Sequence, residues 1–157
     1  IAIISSAIET ENNNYYVQMR EQGFTDFLKV EYPQIEIVSR VESFENPQIT
    51  YEKTVQLLAE QPNLRGIYIT CGGVAQVGRA LIETGRANDV RVLCYEDYPE
   101  IVELMRQGVV DWTLGGEKDE QGALPVKLIM DQLVFGRKPV IDRIFTDIRI
   151  LVKECFS

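Results

Sequence analysis

Apolar residues along this chain come in short runs, and each run ends in a small or polar cluster before a helical pattern begins. Ile1-Ala2-Ile3-Ile4 ends in Ser5-Ser6, and Gly66-Ile67-Tyr68-Ile69 ends in Thr70-Cys71-Gly72-Gly73. Val90-Arg91-Val92-Leu93 ends in Cys94-Tyr95-Glu96-Asp97, and Trp112-Thr113-Leu114 ends in Gly115-Gly116. Runs of strand length, aliphatic on both parities, suit strands covered on both faces. Strand then helix, repeated, predicts the α/β class: a parallel sheet of about five strands with helices on both faces. Ligands of such sheets sit at the carboxyl edge of the strands. That edge here carries Ser, Gly, Glu and Asp.

The pattern divides into five strand–helix units. The first pairs a strand over 1–6 with a helix from the Asn12-Asn13-Asn14 cap to about Tyr32, since Asn accepts backbone N–H bonds at a helix start. The second pairs Ile35–Val41 with a helix from Pro47-Gln48 to Gln61, Pro suiting a first turn. The third pairs 66–71 with 73–85 and the fourth 90–95 with 98–107. The fifth pairs 111–115 with 119–135. Gly85, Gly108 and Gly136 follow the last three helices, as C-terminal glycines do. After Pro139, Val140–Val152 alternates apolar and polar residues, which predicts an extended arm without a following helix. Such a strand often packs on a different layer or a second lobe. No other repeat and no low-complexity segment interrupts the chain.

Composition narrows the function. At 157 residues, with 45% hydrophobic and 25% charged content, the chain is one domain able to bury a core. No apolar stretch reaches ~18 residues, so no membrane span is expected. Ile1 already belongs to a strand, with no Met or leader before it, which suggests an excised fragment. A net charge of −8 and pI of about 4.6 disfavour contact with nucleic acid by this segment, because phosphate affinity comes from Lys and Arg. The absence of His removes Ser-His-Asp and Cys-His catalysis and most zinc sites, so neither enzyme chemistry, a metal nor a cofactor is expected. Cys71, Cys94 and Cys155 show no CxxC spacing and read as reduced thiols of a cytoplasmic protein.

Several residues at the strand ends could bind. Arg20 shares the apolar stripe of Val17, Phe24, Phe27 and Leu28 on the first helix. Its guanidinium either snorkels or pairs inside the fold, or its fork holds vicinal hydroxyls or a carboxylate of a ligand. Glu96 is placed to grip hydroxyls, whereas Asp97, just before Tyr98-Pro99, is placed to cap the next helix. Adjacent on a strand, the two point to opposite faces and do not form a catalytic acid–base pair. Gly72-Gly73 permits either close backbone approach to a ligand or a plain tight turn; the segment is neither a P-loop nor a GxGxxG fingerprint. Tyr15, Tyr16 and Tyr95 could pack on sugar rings or serve as ordinary core. Asn13 and Asn14 could bind hydroxyls or cap. A phosphoacceptor receiver domain is excluded by inspection. Its acidic pair, Asp and Lys are replaced by Ser5-Ser6, Thr70-Cys71 and Gly115-Gly116.

Four of these segments together resemble the lactose-repressor (LacI/GalR) family. Asp111-Trp112-Thr113-Leu114-Gly115-Gly116-Glu117 with Gln121-Gly122 is similar to that family's I-D-x-T-I-G-Q-D-P…Q-G stretch, and Arg20-Glu21-Gln22-Gly23-Phe24 to its R-x-x-G-F. Cys94–Pro99 resembles its G-F/H-D/E-D-x-P element, and Gly72–Leu81 its G-G-G-x-x-G-x-x-x-A-L joint. The resemblance implies a type I periplasmic-binding-protein fold, with residues 1–138 as the effector-binding C-terminal lobe. Residues 139–157 would be the hinge and return arm toward an N-terminal lobe. It implies a ligand site of Ser6, Tyr15, Tyr16, Arg20, Cys71, Gly72, Gly73, Tyr95, Glu96 and Gly116 for a small polar effector, most naturally a sugar. Arg20 and Glu96 match the family's ligand-binding Arg and Asp. Cys71 or Gly72 and Gly116 replace two polar contacts and leave more room in the cleft. It further implies a homodimeric transcriptional regulator whose DNA contacts belong to a helix-turn-helix outside this chain. The alternative is a periplasmic or receptor sugar-binding protein of the same fold.

Overall fold

A computed structural model describes residues 1–6, 15–140 and 143–156. In chain order the elements are β1 (Ala2–Ser5), α1 (Tyr15–Glu31), β2 (Ser39–Glu42), α2 (Pro47–Glu60), β3 (Gly66–Ile69) and α3 (Val74–Glu83). They continue with β4 (Arg91–Tyr95), α4 (Pro99–Arg106), β5 (Trp112–Gly116), α5 (Lys118–Phe135) and β6 (Ile148–Leu151), before a 3-10 turn over Lys153–Phe156. The strands form one sheet in the order β2-β1-β3-β4-β5-β6, parallel except for β6, which runs antiparallel to β5. The five predicted strand–helix units are all present.

The sheet is buried where the sequence is apolar on both parities. Every residue of β1 and β3 is buried. One parity (Ala2, Ile4, Ile67, Ile69, Val92, Cys94) joins Leu57, Leu58, Val77, Leu81, Ile101 and Met105 in the main core, between the sheet and α2, α3 and α4. The other parity includes Tyr68, whose ring meets Phe24 of α1 at 4.3 Å. Helix α1 therefore covers the opposite face, as a right-handed crossover from β1 to the β2 edge requires.

Local chemistry sets the ends. Asn46 accepts from the backbone N–H groups of Gln48 and Ile49 at 3.0 and 3.1 Å, ahead of Pro47 in the first turn of α2. Gly85, Gly108 and Gly136 all take positive φ just past their helices, as expected. The predicted Asn12-Asn13-Asn14 cap lies outside the described residues.

Four expectations need correction. The second strand covers Ser39–Glu42 rather than starting at Ile35. Upstream of it, the N-terminal ammonium donates to the Glu36 carbonyl at 2.8 Å and the Val38 N–H to the Ile1 carbonyl at 2.9 Å. Phe27 is 58% exposed: at 100° per residue it sits roughly 80° round from Val17, off the face that buries Val17, Thr25 and Leu28. The arm after Pro139 supplies β6 to this same sheet, where Ile148 pairs with Gly116 and Ile150 with Leu114. Its last turn then packs Phe156 on the core while Arg106 donates to the Phe156 carbonyl at 2.8 Å. Finally, Asp97 does not cap α4. Tyr98 occupies that position without a side-chain cap, and Asp97 pairs with Lys118 instead.

Candidate functional site

At the carboxyl edge the β1–α1 side, the β2–α2 turn, the β3–α3 joint and the β4–α4 joint enclose a cleft of about 380 Å³. Of the expected ligand residues, Arg20, Cys71, Gly72, Gly73, Tyr95 and Glu96 line it. Four others do not. Tyr15 and Tyr16 lie edge-on to one another at 6.0 Å and are exposed at the start of α1. Ser6 offers its backbone carbonyl to the Phe44 N–H at 2.6 Å. Gly116 sits further along the sheet, where the amide of Gln121 fills the space a side chain would take: a Cβ there would come within 2.5 Å of Nε2.

Arg20 is the centre of the cleft wall. Its Nη1 donates to the Thr70 carbonyl at 3.0 Å, and its guanidinium carbon lies 3.7 Å above the centroid of the Tyr95 ring. Both of the readings open to it are therefore partly realised. Among the described residues its partners are a carbonyl and a ring face rather than a carboxylate. Its remaining N–H groups keep the fork available to a ligand. Tyr95, open to packing on a sugar ring or to ordinary packing, gives a ring face to Arg20.

The β3–α3 joint brings backbone close. Gly73 is the N-cap residue of α3 with φ +96° and no side-chain cap. A Cβ there would lie 2.8 Å from Thr50 Cγ2, so the turn admits only glycine without displacing α2. Cys71 is half-buried, its Sγ 3.4 Å from Ser43 Oγ. Burial pushes its thiol up, against the opposing bond from Ser43, so it stands as a neutral, weakly polar wall.

Glu96 departs from ordinary backbone, with φ +72°. Its N–H donates to the Leu114 carbonyl at 3.0 Å, and its own carbonyl accepts from Thr113 Oγ1. This holds β4 against β5; Glu96 lines the cleft, and its Oε2 lies 3.7 Å from Lys118 Nζ. Phe44 and Glu45, with φ +52° and +53°, are the other described non-glycine residues in the left-handed region. Two of the three, Glu45 and Glu96, line the cleft. Such strain, about 1–3 kcal/mol per residue, persists where surrounding structure over-determines it and clusters at functional sites.

Glu45, Tyr98 and Glu100 were not among the expected site residues, although all three line the cleft. Glu45 could not be assigned from spacing because it arrives on a turn whose direction depends on tertiary packing, and Glu100, in the first turn of α4, because its approach to the cleft depends on how that helix packs. Tyr98 was legible only as the neighbour of Pro99. The lining thus combines three acidic residues with Arg20, groups that accept from and donate to hydroxyls, and Lys118 stands 3.7 Å from Glu96. Among the described residues no group of three or more His, Cys, Asp or Glu is arranged to hold a metal ion, and no helix is long and apolar enough to cross a membrane.

Residues 1–138 match the periplasmic binding protein domain family, and the chain belongs to it. Among solved structures, the chain is similar to GanP, a glucose-galactose binding protein from Geobacillus stearothermophilus. The identity is 25% and the TM-score 0.82, over 98% of this chain and 52% of that one. It is also similar to an ABC transporter solute-binding protein from Burkholderia graminis C4D1M in complex with D-arabinose (21% identity, TM-score 0.86, 99% and 53% of the two chains). A third similar structure is an ABC transporter periplasmic solute-binding protein from Actinobacillus succinogenes 130z with bound D-allose (23%, TM-score 0.82, 98% and 53%). The chain spans about half the length of these proteins. No curated protein matches it. The fold is therefore that of one lobe of a type I periplasmic binding protein.

Proposed function

We propose that this cleft is one wall of a sugar-binding site, completed by a second lobe that closes over the ligand, and that the chain binds without performing chemistry. One observation carries the reading: Arg20, Tyr95 and Glu96, from α1 and β4, converge with the Gly72-Gly73 backbone on a single cleft at the carboxyl edge. A guanidinium fork and a carboxylate are the groups that recognise vicinal hydroxyls. The sugars bound by the similar structures support the same ligand class.

Within that class we place the chain as the effector-binding lobe of a LacI-type transcriptional regulator, cytoplasmic and dimeric. There, ligand would shift the operator-binding equilibrium through its differential affinity for open and closed lobes. The four family-like motifs, in register along the chain, support this assignment. A transport or receptor sugar-binding protein is the second reading, favoured by the family match and by the solute-binding neighbours. Sequence upstream of Ile1 separates them: a helix-turn-helix selects the regulator, a secretory signal the receptor.

The test is a thermal-shift screen of the full-length protein with D-glucose, D-galactose, D-arabinose and D-allose, and with glucose 6-phosphate as a charged control. Binding to the folded state raises the midpoint by mass action. A neutral sugar is expected to raise it in wild type and to fail in Arg20→Ala, with the phosphate inactive in both. No shift with any sugar, or a shift that survives Arg20→Ala, would refute this site.

A further inference from the structure

Arg20, Tyr95 and Tyr68 come from three elements and close a circuit. The Arg20 guanidinium lies on the Tyr95 ring at 3.7 Å. The Tyr95 and Tyr68 hydroxyls are 2.8 Å apart. The Tyr68 hydroxyl donates to the Arg20 backbone carbonyl at 3.4 Å. A phenol has one proton to give. Either hydroxyl can donate in the 2.8 Å bond; when Tyr68 gives its proton to the Arg20 carbonyl, Tyr95 donates to Tyr68.

The circuit follows from strand parity. Tyr68 pairs with Leu93 across the β3–β4 ladder, so Tyr95, two residues on, is its diagonal neighbour on the same face. That face is the one α1 covers, and Phe24, four residues after Arg20, seats on the Tyr68 ring at 4.3 Å. Tyr68 thus touches α1 twice and β4 once. It does not line the cleft itself. It is 4% exposed, and burial, reinforced by the bond from Tyr95, pushes its phenol far above the ordinary range. It is a neutral phenol at ordinary pH.

We propose that Tyr68 is a positioning residue for ligand recognition. Its hydroxyl fixes the Arg20 fork relative to the end of β4, which carries Glu96, so that both meet one ligand in a set geometry. The proposal rests on the sugar reading of the cleft. Arg20 is a long side chain, and a ligand that must first order it loses affinity; a fork already held on Tyr95 avoids that cost. Removing only the Tyr68 hydroxyl leaves the ring on Phe24 and the core intact. It frees the half-buried Tyr95 hydroxyl to turn toward water, and the ring under Arg20 shifts with it.

The experiment is a double-mutant cycle in the full-length protein with Tyr68→Phe, Tyr95→Phe and the double variant. Affinity for the strongest-binding neutral sugar is read by calorimetry, and the unliganded thermal midpoint is read alongside. Each single variant is expected to weaken binding about fivefold. The double variant is expected to lose clearly less than the product of the two single losses, because both remove the Tyr68–Tyr95 bond and only Tyr68→Phe also removes the bond to the Arg20 carbonyl. A residue that only supports the fold would lower the midpoint and leave affinity unchanged. That result, or losses that multiply fully in the double variant, overturns the proposal. Should Tyr68→Phe not fold, Tyr95→Phe reads the same bond from its other end, and unchanged affinity there is equally fatal. If wild type binds none of the sugars, the sugar reading falls and takes this inference with it. If wild type binds and all three variants bind alike, only the inference falls.

Discussion

The guanidinium carbon of Arg20 lies 3.7 Å from the centroid of the Tyr95 ring. The contact joins α1 to the end of β4 and presents a fork rather than a point charge to the cleft. Its energetic worth is about 1–2 kcal/mol when partly desolvated, but its geometric role is larger. Arg20→Lys keeps the charge and loses both the guanidinium–ring contact and the bidentate donor set. The expected outcome is at least about tenfold weaker sugar binding, worth about 1.4 kcal/mol. The thermal midpoint should move by only a few degrees, as differential scanning calorimetry and titration calorimetry would show. Equal affinity in the lysine variant would mean that charge alone matters.

Glu96 holds a left-handed backbone that its carboxylate does not need. Glycine adopts φ +72° without a Cβ penalty, and the backbone bonds to Leu114 and from Thr113 survive the change. Glu96→Gly should therefore gain roughly 1 kcal/mol of stability in urea unfolding, while sugar binding falls. A loss on both counts would show that the Lys118 pairing outweighs the strain.

Gly73 presents the opposite case. Alanine there meets both φ +96° and Thr50 Cγ2 at 2.8 Å. Gly73→Ala should cost about 2 kcal/mol in chemical unfolding. Adding Thr50→Ser, which removes that methyl, should recover part of the loss but leave the backbone portion. Full recovery would assign the whole cost to the steric contact.

Stability should also fall in alkali through Cys94. Burial pushes this thiol up to about 11 from an ordinary 9.0. Below 9 both folded and unfolded chains keep the proton. Above it the unfolded chain releases the proton first, so stability declines from about pH 9 to 11. At pH 10 the decline from this group is roughly 1.4 kcal/mol. Urea midpoints at pH 7 and pH 10 should show a smaller drop in Cys94→Ala than in wild type. Cys71, also pushed up by burial, adds to the slope that remains. An unchanged slope would mean that the thiol titrates normally in the fold.

Much of this molecule is written in local pattern. Parity and period are short-range signals, so the five strand–helix units, the start of α2 at Pro47 and the glycines after α3, α4 and α5 follow from neighbours in the chain. So does the position of the cleft, because a parallel sheet exposes its strand-to-helix joints at one edge. Arg20, Gly72-Gly73 and Glu96 could be picked out there as polar or glycine residues where an apolar pattern breaks.

Tertiary packing decided what those residues touch. No local rule brings α1 over β3 and β4, so the Arg20 partner proved to be the face of Tyr95, and Tyr68 went unnoticed as an ordinary strand residue. Helix phase turned Phe27 outward, and Asp97 left its cap because Lys118 on α5 came within reach. The direction of the Phe44-Glu45 turn depends on Ser43 bonding to the Ser5 carbonyl at 2.9 Å, a contact 38 residues long in sequence. The sequence by itself determined which elements form and which edge they leave open, since hydrogen-bond periodicity and apolar spacing are local. Only the folded chain decided which side chains share the cleft, because distances between elements are set by the packing of the core as a whole.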